Sequence, residues 1–182
     1  ITSTSETAFT SSYTIAANTL SVGDMVRIKL WGTYGGTVLP TIRGKLKFGS
    51  TIVLDTGDIS GLVSGSNLGW WTEAEAIVTA LGAAGTIEAQ GYAEFSTAAT
   101  TGLSVNLVNT AAITIDTTAA QVVTVTIDWG ATGTAQTITL RELAVEVLKP
   151  QAAANAMVVG NAVTSGTVGS VLFVGTGGLL AQ

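Results

Sequence analysis

Apolar and polar residues alternate with period 2 over most of this chain, the mark of strands with one dry and one wet face. In Met25 to Phe48, Val26, Ile28 and Leu30 alternate with Arg27, Lys29 and Trp31. After a break at Gly32, Gly35, Gly36 and Pro40, Ile42, Leu46 and Phe48 alternate with Arg43, Lys45 and Lys47. Two runs joined this way read as antiparallel neighbours, or as strands facing each other across a sandwich. From Trp70 to Ala80, Trp70, Thr72, Ala74, Ala76 and Val78 fall on one face, and Trp71, Glu73, Glu75 and Ile77 on the other. Thr86 to Phe95 repeats the pattern, with Ile87, Ala89, Ala93 and Phe95 against Glu88, Gln90, Tyr92 and Glu94.

The remaining segments fit the same plan. Ala8 to Ile15, Thr51 to Leu54, Leu103 to Leu107, Ala111 to Ile115 and Val123 to Trp129 are strand-like. Residues 55–67 and 96–102 read as loops, and Gly130 to Ala135 as a loop of hairpin length. In Gln136 to Leu148 the apolar set begins as Ile138 and Leu140, then jumps phase to Leu143, Val145 and Val147. A jump at Arg141-Glu142 predicts a β-bulge or a change of sheet. About nine or ten strands at short intervals, with no sustained helical period, predict an all-β antiparallel sandwich, of jelly-roll type, over residues 1–150. A closed barrel is the alternative architecture.

Residues 151–182 contain no charged residue. Small apolar clusters, Met157-Val158-Val159, Val171 to Val174 and Leu179-Leu180, are punctuated by Gly, Ser and Thr. The segment is too short to bury a core of its own and too apolar to remain solvated as a disordered tail. It is expected to be an extended segment that intertwines with its copies in neighbouring chains. Met157, Val159, Val171, Phe173 and Leu179 are the expected intersubunit contacts.

Composition sharpens this picture. Only 10% of residues are charged, against roughly 25% in an ordinary soluble domain. Mean hydropathy is positive, yet no apolar run approaches the ~18–20 residues of a spanning helix. With 6% aromatic residues, the girdles of a transmembrane barrel are not evident, so no membrane partner is expected. Charge depletion is instead what a surface shared between copies or partners would show. A net charge of −5 argues against nucleic acid, whose binding depends on Lys and Arg at phosphates. The chain has no Cys and no His, which excludes thiolate nucleophiles, Ser-His-Asp triads and Cys- or His-ligated metals.

The candidate chemistry is sparse. Arg27, Lys29, Arg43, Lys45 and Lys47 would form a basic strip if they shared a face, but Glu73, Glu75, Glu88 and Glu94 alternate likewise. Cross-strand ion pairs are the favoured reading. Asp55 and Asp58 lack the spacing of a calcium loop and read as turn residues. Glu73 with Glu75, or Glu88 with Glu94, is the only pairing that suggests glycoside hydrolysis. Gly175 to Gly178 is followed by no Lys-Ser/Thr and is not a phosphate loop. Trp31, Trp70, Trp71 and Trp129 are expected in core or interface packing, with carbohydrate stacking as the alternative. No catalytic residue, cofactor or metal is expected.

The segment Tyr13 to Leu20 with Gly23-Asp24, then a strand, then Gly69-Trp70, resembles structural domains of tailed-bacteriophage virion proteins of fibre, spike or head-associated type. The final stretch, from Gly160 to Gln182, resembles segments that link modules in phage fibres. The resemblance implies a virion component, a homotrimer that contacts other virion proteins, and it carries over no active-site residue. The expected function is mechanical, as capsid decoration, fibre or collar. A receptor- or carbohydrate-binding fibre head that meets a host surface glycan is the alternative.

Overall fold

The computed structural model describes residues 1–98, 101–109 and 111–150. The chain divides into Ile1–Pro150 and Gln151–Gln182. Met157, Val159, Val171, Phe173 and Leu179, the expected intersubunit contacts, lie outside the described residues.

The described chain is all-β, with two antiparallel sheets packed face to face. In the five-stranded sheet, β10 (Gln121–Trp129) is flanked on one side by β1 (Thr7–Ala8) and β2 (Tyr13–Ile15). On its other side lie β4 (Ile42–Phe48) and then β5 (Thr51–Asp55). The six-stranded sheet runs β11 (Thr137–Leu148), β3 (Met25–Gly36), β6 (Gly65–Ala80), β7 (Gly85–Ala98) and β8 (Thr101–Val108), with β9 (Ile113–Ile115) also on β7. The two alternating runs of Met25 to Phe48 therefore face each other across the sandwich, one in each sheet.

Burial follows the period-2 pattern. Val26, Ile28 and Leu30 of β3 are buried, as are Ile42, Leu46 and Phe48 of β4, while the intervening charged residues are not. Apolar side chains from both sheets close one core, the two-layer solution that buries one face of each sheet. At its centre Trp70 stacks on Phe9 (centroids 6.0 Å apart) and on Phe95 (6.2 Å). Tyr34 meets Phe95 edge-on at 5.7 Å. The polar tips are satisfied, as buried polar groups must be. Trp70 Nε1 donates to the Thr139 carbonyl at 3.0 Å, and the Tyr34 hydroxyl to the Ser96 carbonyl at 2.6 Å.

The phase jump in β11 is a bulge. Pairing with β3 shifts between Leu140 and Glu142, leaving Arg141 as the extra residue. Gly32 sits opposite Leu140 because a Cβ there would lie 1.9 Å from the Thr139 carbonyl oxygen and 2.8 Å from Trp70 Nε1. Bulge, glycine and tryptophan are one packing unit.

Three expectations are corrected. Gly130 to Ala135 is not a hairpin: it carries the chain from β10 in one sheet to β11 in the other. It pairs with the β3–β4 crossover, through Thr37 N–H to the Thr134 carbonyl (2.8 Å) and Gly130 N–H to the Thr41 carbonyl (2.8 Å). Ala8 to Ile15 is split into β1 and β2, because six residues, Ala8 to Tyr13, span only four of β10, Val123 to Thr126. The surplus turns Phe9 inward onto Trp70. Residues 96–102 are not all loop: β7 runs to Ala98 and β8 starts at Thr101, tied by the Thr97 and Thr101 hydroxyls 2.9 Å apart.

Gly32→Ala is expected to destabilise the fold by about 1–3 kcal/mol, the usual cost of overpacking a tight site. Urea unfolding should give a lower midpoint at an unchanged slope. An unaltered midpoint would refute the close approach at the bulge.

Candidate functional site

The two outer faces differ in charge. On the five-stranded sheet, Arg43, Lys45 and Lys47 project beside Glu6, Asp55 and Asp128, three cations against three carboxylates. Arg43 grips Asp55 with two hydrogen bonds, Nε–Oδ1 at 2.8 Å and Nη2–Oδ2 at 2.6 Å. Lys45 lies 2.6 Å from Glu6 and 4.0 Å from Asp128, and Lys47 also binds Glu6. Arg27 and Lys29 project from the other sheet, where their register partners are Glu75 and Glu73, at 3.0 and 3.2 Å. The five cations thus form no single strip. Both faces carry ion pairs, the favoured reading, with Glu73 and Glu75 among the expected partners and Glu6, Asp55 and Asp128 as partners that had not been expected.

Asp55 is a turn residue: its Oδ1 also accepts from Gly57 N–H at 2.9 Å. Its carboxyl is held below the usual value, first by the Arg43 hydrogen bonds. Among the described residues no group of three or more Asp and Glu side chains is placed to hold a metal ion. Between the sheets an apolar void of about 40 Å³ is lined mainly by large side chains such as Leu30, Leu54, Trp70 and Phe95, with Gly44, Ala74 and Ala93 among them, room for little more than a water-sized molecule.

The outer face of the six-stranded sheet is where unusual side chains meet. Trp70 and Trp129 are core residues, but Trp31 and Trp71 are 50% and 37% exposed. They are direct cross-strand partners on β3 and β6. Glu142 pairs with Trp31 on one side, and Glu94 with Trp71 on the other. One row across four strands therefore reads acid, indole, indole, acid. Trp31 Nε1 donates to Glu142 Oε2 at 2.8 Å, which fixes that indole. Tyr92 of β7 meets Trp71 edge-on, centroids 4.7 Å apart and planes at 85°. Its hydroxyl is pushed above its ordinary pKa, first by desolvation and then by the neighbouring Glu73 carboxylate. Beside it a shallow groove of about 410 Å³ is lined by Glu73, Gln90, Asn106 and Val108.

Tyr92, Glu94 and Glu142 were not singled out from sequence as partners of the indoles. The available signal was that Trp31 and Trp71 fall on the charged phase of their strands; their neighbours across the sheet required the register. Of the two segments read as loops, residues 56–64 join β5 to β6, which already begins at Gly65, and residues 99–100 lie outside the described residues. Compared with known proteins, the chain matches no family model, no curated protein and no solved structure. The class defined here is thus an all-β, two-sheet sandwich with an acidic, aromatic outer face.

The clamp on Glu6 gives a pH test. Hydrogen bonds from Lys45 and Lys47, and then from Thr126, lower its pKa from 4.5 to about 2 against an opposing desolvation. A depressed folded pKa contributes stability that is complete above the unfolded value and is lost as pH falls through the folded one. The stability difference between the wild type and Glu6→Gln should be constant above about pH 5 and close as pH falls toward about 2. Denaturant midpoints measured across that range would show it; a difference that survives undiminished at the acid end would contradict it.

Proposed function

We propose that this chain is a non-catalytic structural protein of a virus particle of the tailed-bacteriophage type. It acts as an oligomer, a homotrimer, that decorates a capsid or forms a fibre or collar, in contact with other virion proteins. The observation that carries the reading is an apolar rim at the end of the sandwich where β11 stops. Leu148, Met25 and Ile77 lie in one register row there. Ile77 is 40% exposed, and Val22 (56%) and Leu81 (50%) stand in the adjoining turns. Exposed apolar side chains gathered in one place mark association surfaces. Six of the seven cations are already held in ion pairs within the described residues, so polar chemistry offers few free groups for a reaction.

Residues 151–182, without a charge, are read as an extended segment that winds with the same segment of neighbouring copies. Met157, Val159, Val171, Phe173 and Leu179 make the contacts in this reading. The jelly-roll assignment draws support from the nested pairing of β3 with β11 and of β4 with β10. The second reading, a receptor- or carbohydrate-binding fibre head, rests on the exposed Trp31 and Trp71; binding on a glycan array would favour it.

Deleting residues 151–182 is expected to convert the oligomer into monomers, read by sedimentation or mass photometry. Oligomers of unchanged stoichiometry after the deletion would discredit the assembly.

A further inference from the structure

The outer face of the six-stranded sheet has a charge imbalance that its ion pairs do not remove. It carries Glu73, Glu75, Glu88, Glu94, Glu142 and Glu146, because each is the register partner of another outward residue. Arg27, Lys29 and Arg141, the exposed bulge residue beside Glu142, oppose them. Six carboxylates less three cations leave three net negative charges on this side of the sheet, of a chain whose net charge is −5. Among the described residues Glu94 and Glu142, the two that flank the indole pair, form no salt bridge, and Lys29 is held by Glu73 at 3.2 Å.

We propose that Trp31, Trp71 and Tyr92, flanked by Glu94 and Glu142, form a binding site for an organic cation of the quaternary ammonium class. The perpendicular Trp71 and Tyr92 rings form a corner rather than a flat floor. A corner of aromatic rings suits a spherical, weakly hydrated cation, which is attracted to ring faces by their quadrupole. The carboxylates supply the field: at a strand spacing of ~4.8 Å they stand about 14 Å apart across the row, one at each end of the indoles. That separation is too great for both to ligate one metal ion, which needs oxygens converging at ~2–2.6 Å. Anionic ligands are repelled, and a neutral saccharide gains nothing from the charge. A second copy docking through the same face would bring net negative charge against net negative charge, and like-charge juxtaposition opposes association. The inference does not rest on the assembly reading above, which concerns the apolar rim.

The test uses the full chain, labelled with nitrogen-15, and follows the four indole N–H signals by NMR. The probe is choline chloride; its uncharged isostere 3,3-dimethyl-1-butanol and the neutral disaccharide cellobiose are titrated in parallel. Choline should shift the Trp31 and Trp71 signals saturably and leave the buried Trp70 and Trp129 signals in place. The uncharged isostere should bind at least about tenfold more weakly, on the scale of a cation–π contact. Trp71→Ala should weaken choline binding about tenfold, and joint Glu94→Gln and Glu142→Gln about fivefold. Both sites are on the surface, and a retained Trp70 signal verifies the fold of each variant. Equal binding of choline and its isostere would overturn the proposal. So would a response to cellobiose without one to choline, or no saturable shift at either exposed indole. Self-association abolished by Trp71→Ala in a protein that ignores choline would also overturn it and assign the face to contact between copies.

Discussion

The bulge at Arg141 is the constraint on which both faces of the six-stranded sheet depend. Pairing with β3 slips there by one residue, and a one-residue slip exchanges the two faces of a strand. Before the bulge Ile138 points inward and is fully buried. After it Leu143 and Val145 take the inward phase, opposite Leu30 and Ile28, and Glu142 turns outward beside Trp31. The slip is held by two neighbours. Gly32 admits the Thr139 carbonyl where any Cβ would collide with it, and Trp70 Nε1 donates to that same carbonyl at 3.0 Å. Trp70 is in turn the middle ring of the core stack. Because successive strand residues point to opposite faces, burying Trp70 obliges Trp71 to face out. The core stack and the exposed indole row are consequences of one local arrangement.

Electrostatics completes the division of labour between the faces. The five-stranded sheet balances its outward charges, and its central acid, Glu6, is clamped by two lysines. The six-stranded sheet does not balance them. One ionic contact lies apart from both faces. Asp24 is fully buried, and its Oδ2 accepts from Ser21 N–H at 2.8 Å and from the Lys149 ammonium. Lys149 also donates to the Thr19 carbonyl at 3.1 Å. This cluster fastens the end of β11 to the turn before β3. Among the described residues Asp24 Oδ1 has no hydrogen-bond partner; removing Lys149 would leave a buried carboxylate without its cation, which is costly.

Much of this architecture was legible along the chain, for a physical reason. Burial of one sheet face prints a period of 2 locally, so β3, β4, β6, β7 and β10 could be read segment by segment. The bulge could be read too, since a phase jump between Leu140 and Leu143 is itself a local signal. What could not be read is which strand lies beside which. β3 and β4 carry the same alternation whether they are neighbours or face each other, and the glycine-rich link allows either arrangement. Gly130 to Ala135 has hairpin length yet crosses between sheets, because it pairs with a segment roughly ninety residues earlier. The candidate site failed to show for the same reason. Trp31 and Trp71 sit on charged phases in plain view, but the row Glu142, Trp31, Trp71, Glu94 exists only through long-range register.

Charge also bears on where the proposed copies would meet. The six-stranded face repels its like, and the five-stranded face presents cations already matched to carboxylates, which offer a partner little beyond exposed ion pairs worth about 0–1 kcal/mol each. Neither face is a natural surface for self-association. The rim formed by Val22, Met25, Ile77, Leu81 and Leu148 is different in kind: mainly apolar, with Glu88, the register partner of Ile77, at its border. Contact there would remove apolar area from water without bringing the acidic faces together. A chain that is 10% charged can gather its unbalanced acids on one face and exposed apolar residues at one end. In the proposed assembly that separation leaves the aromatic row open to solvent, and the same molecule can be both a building block and a binder.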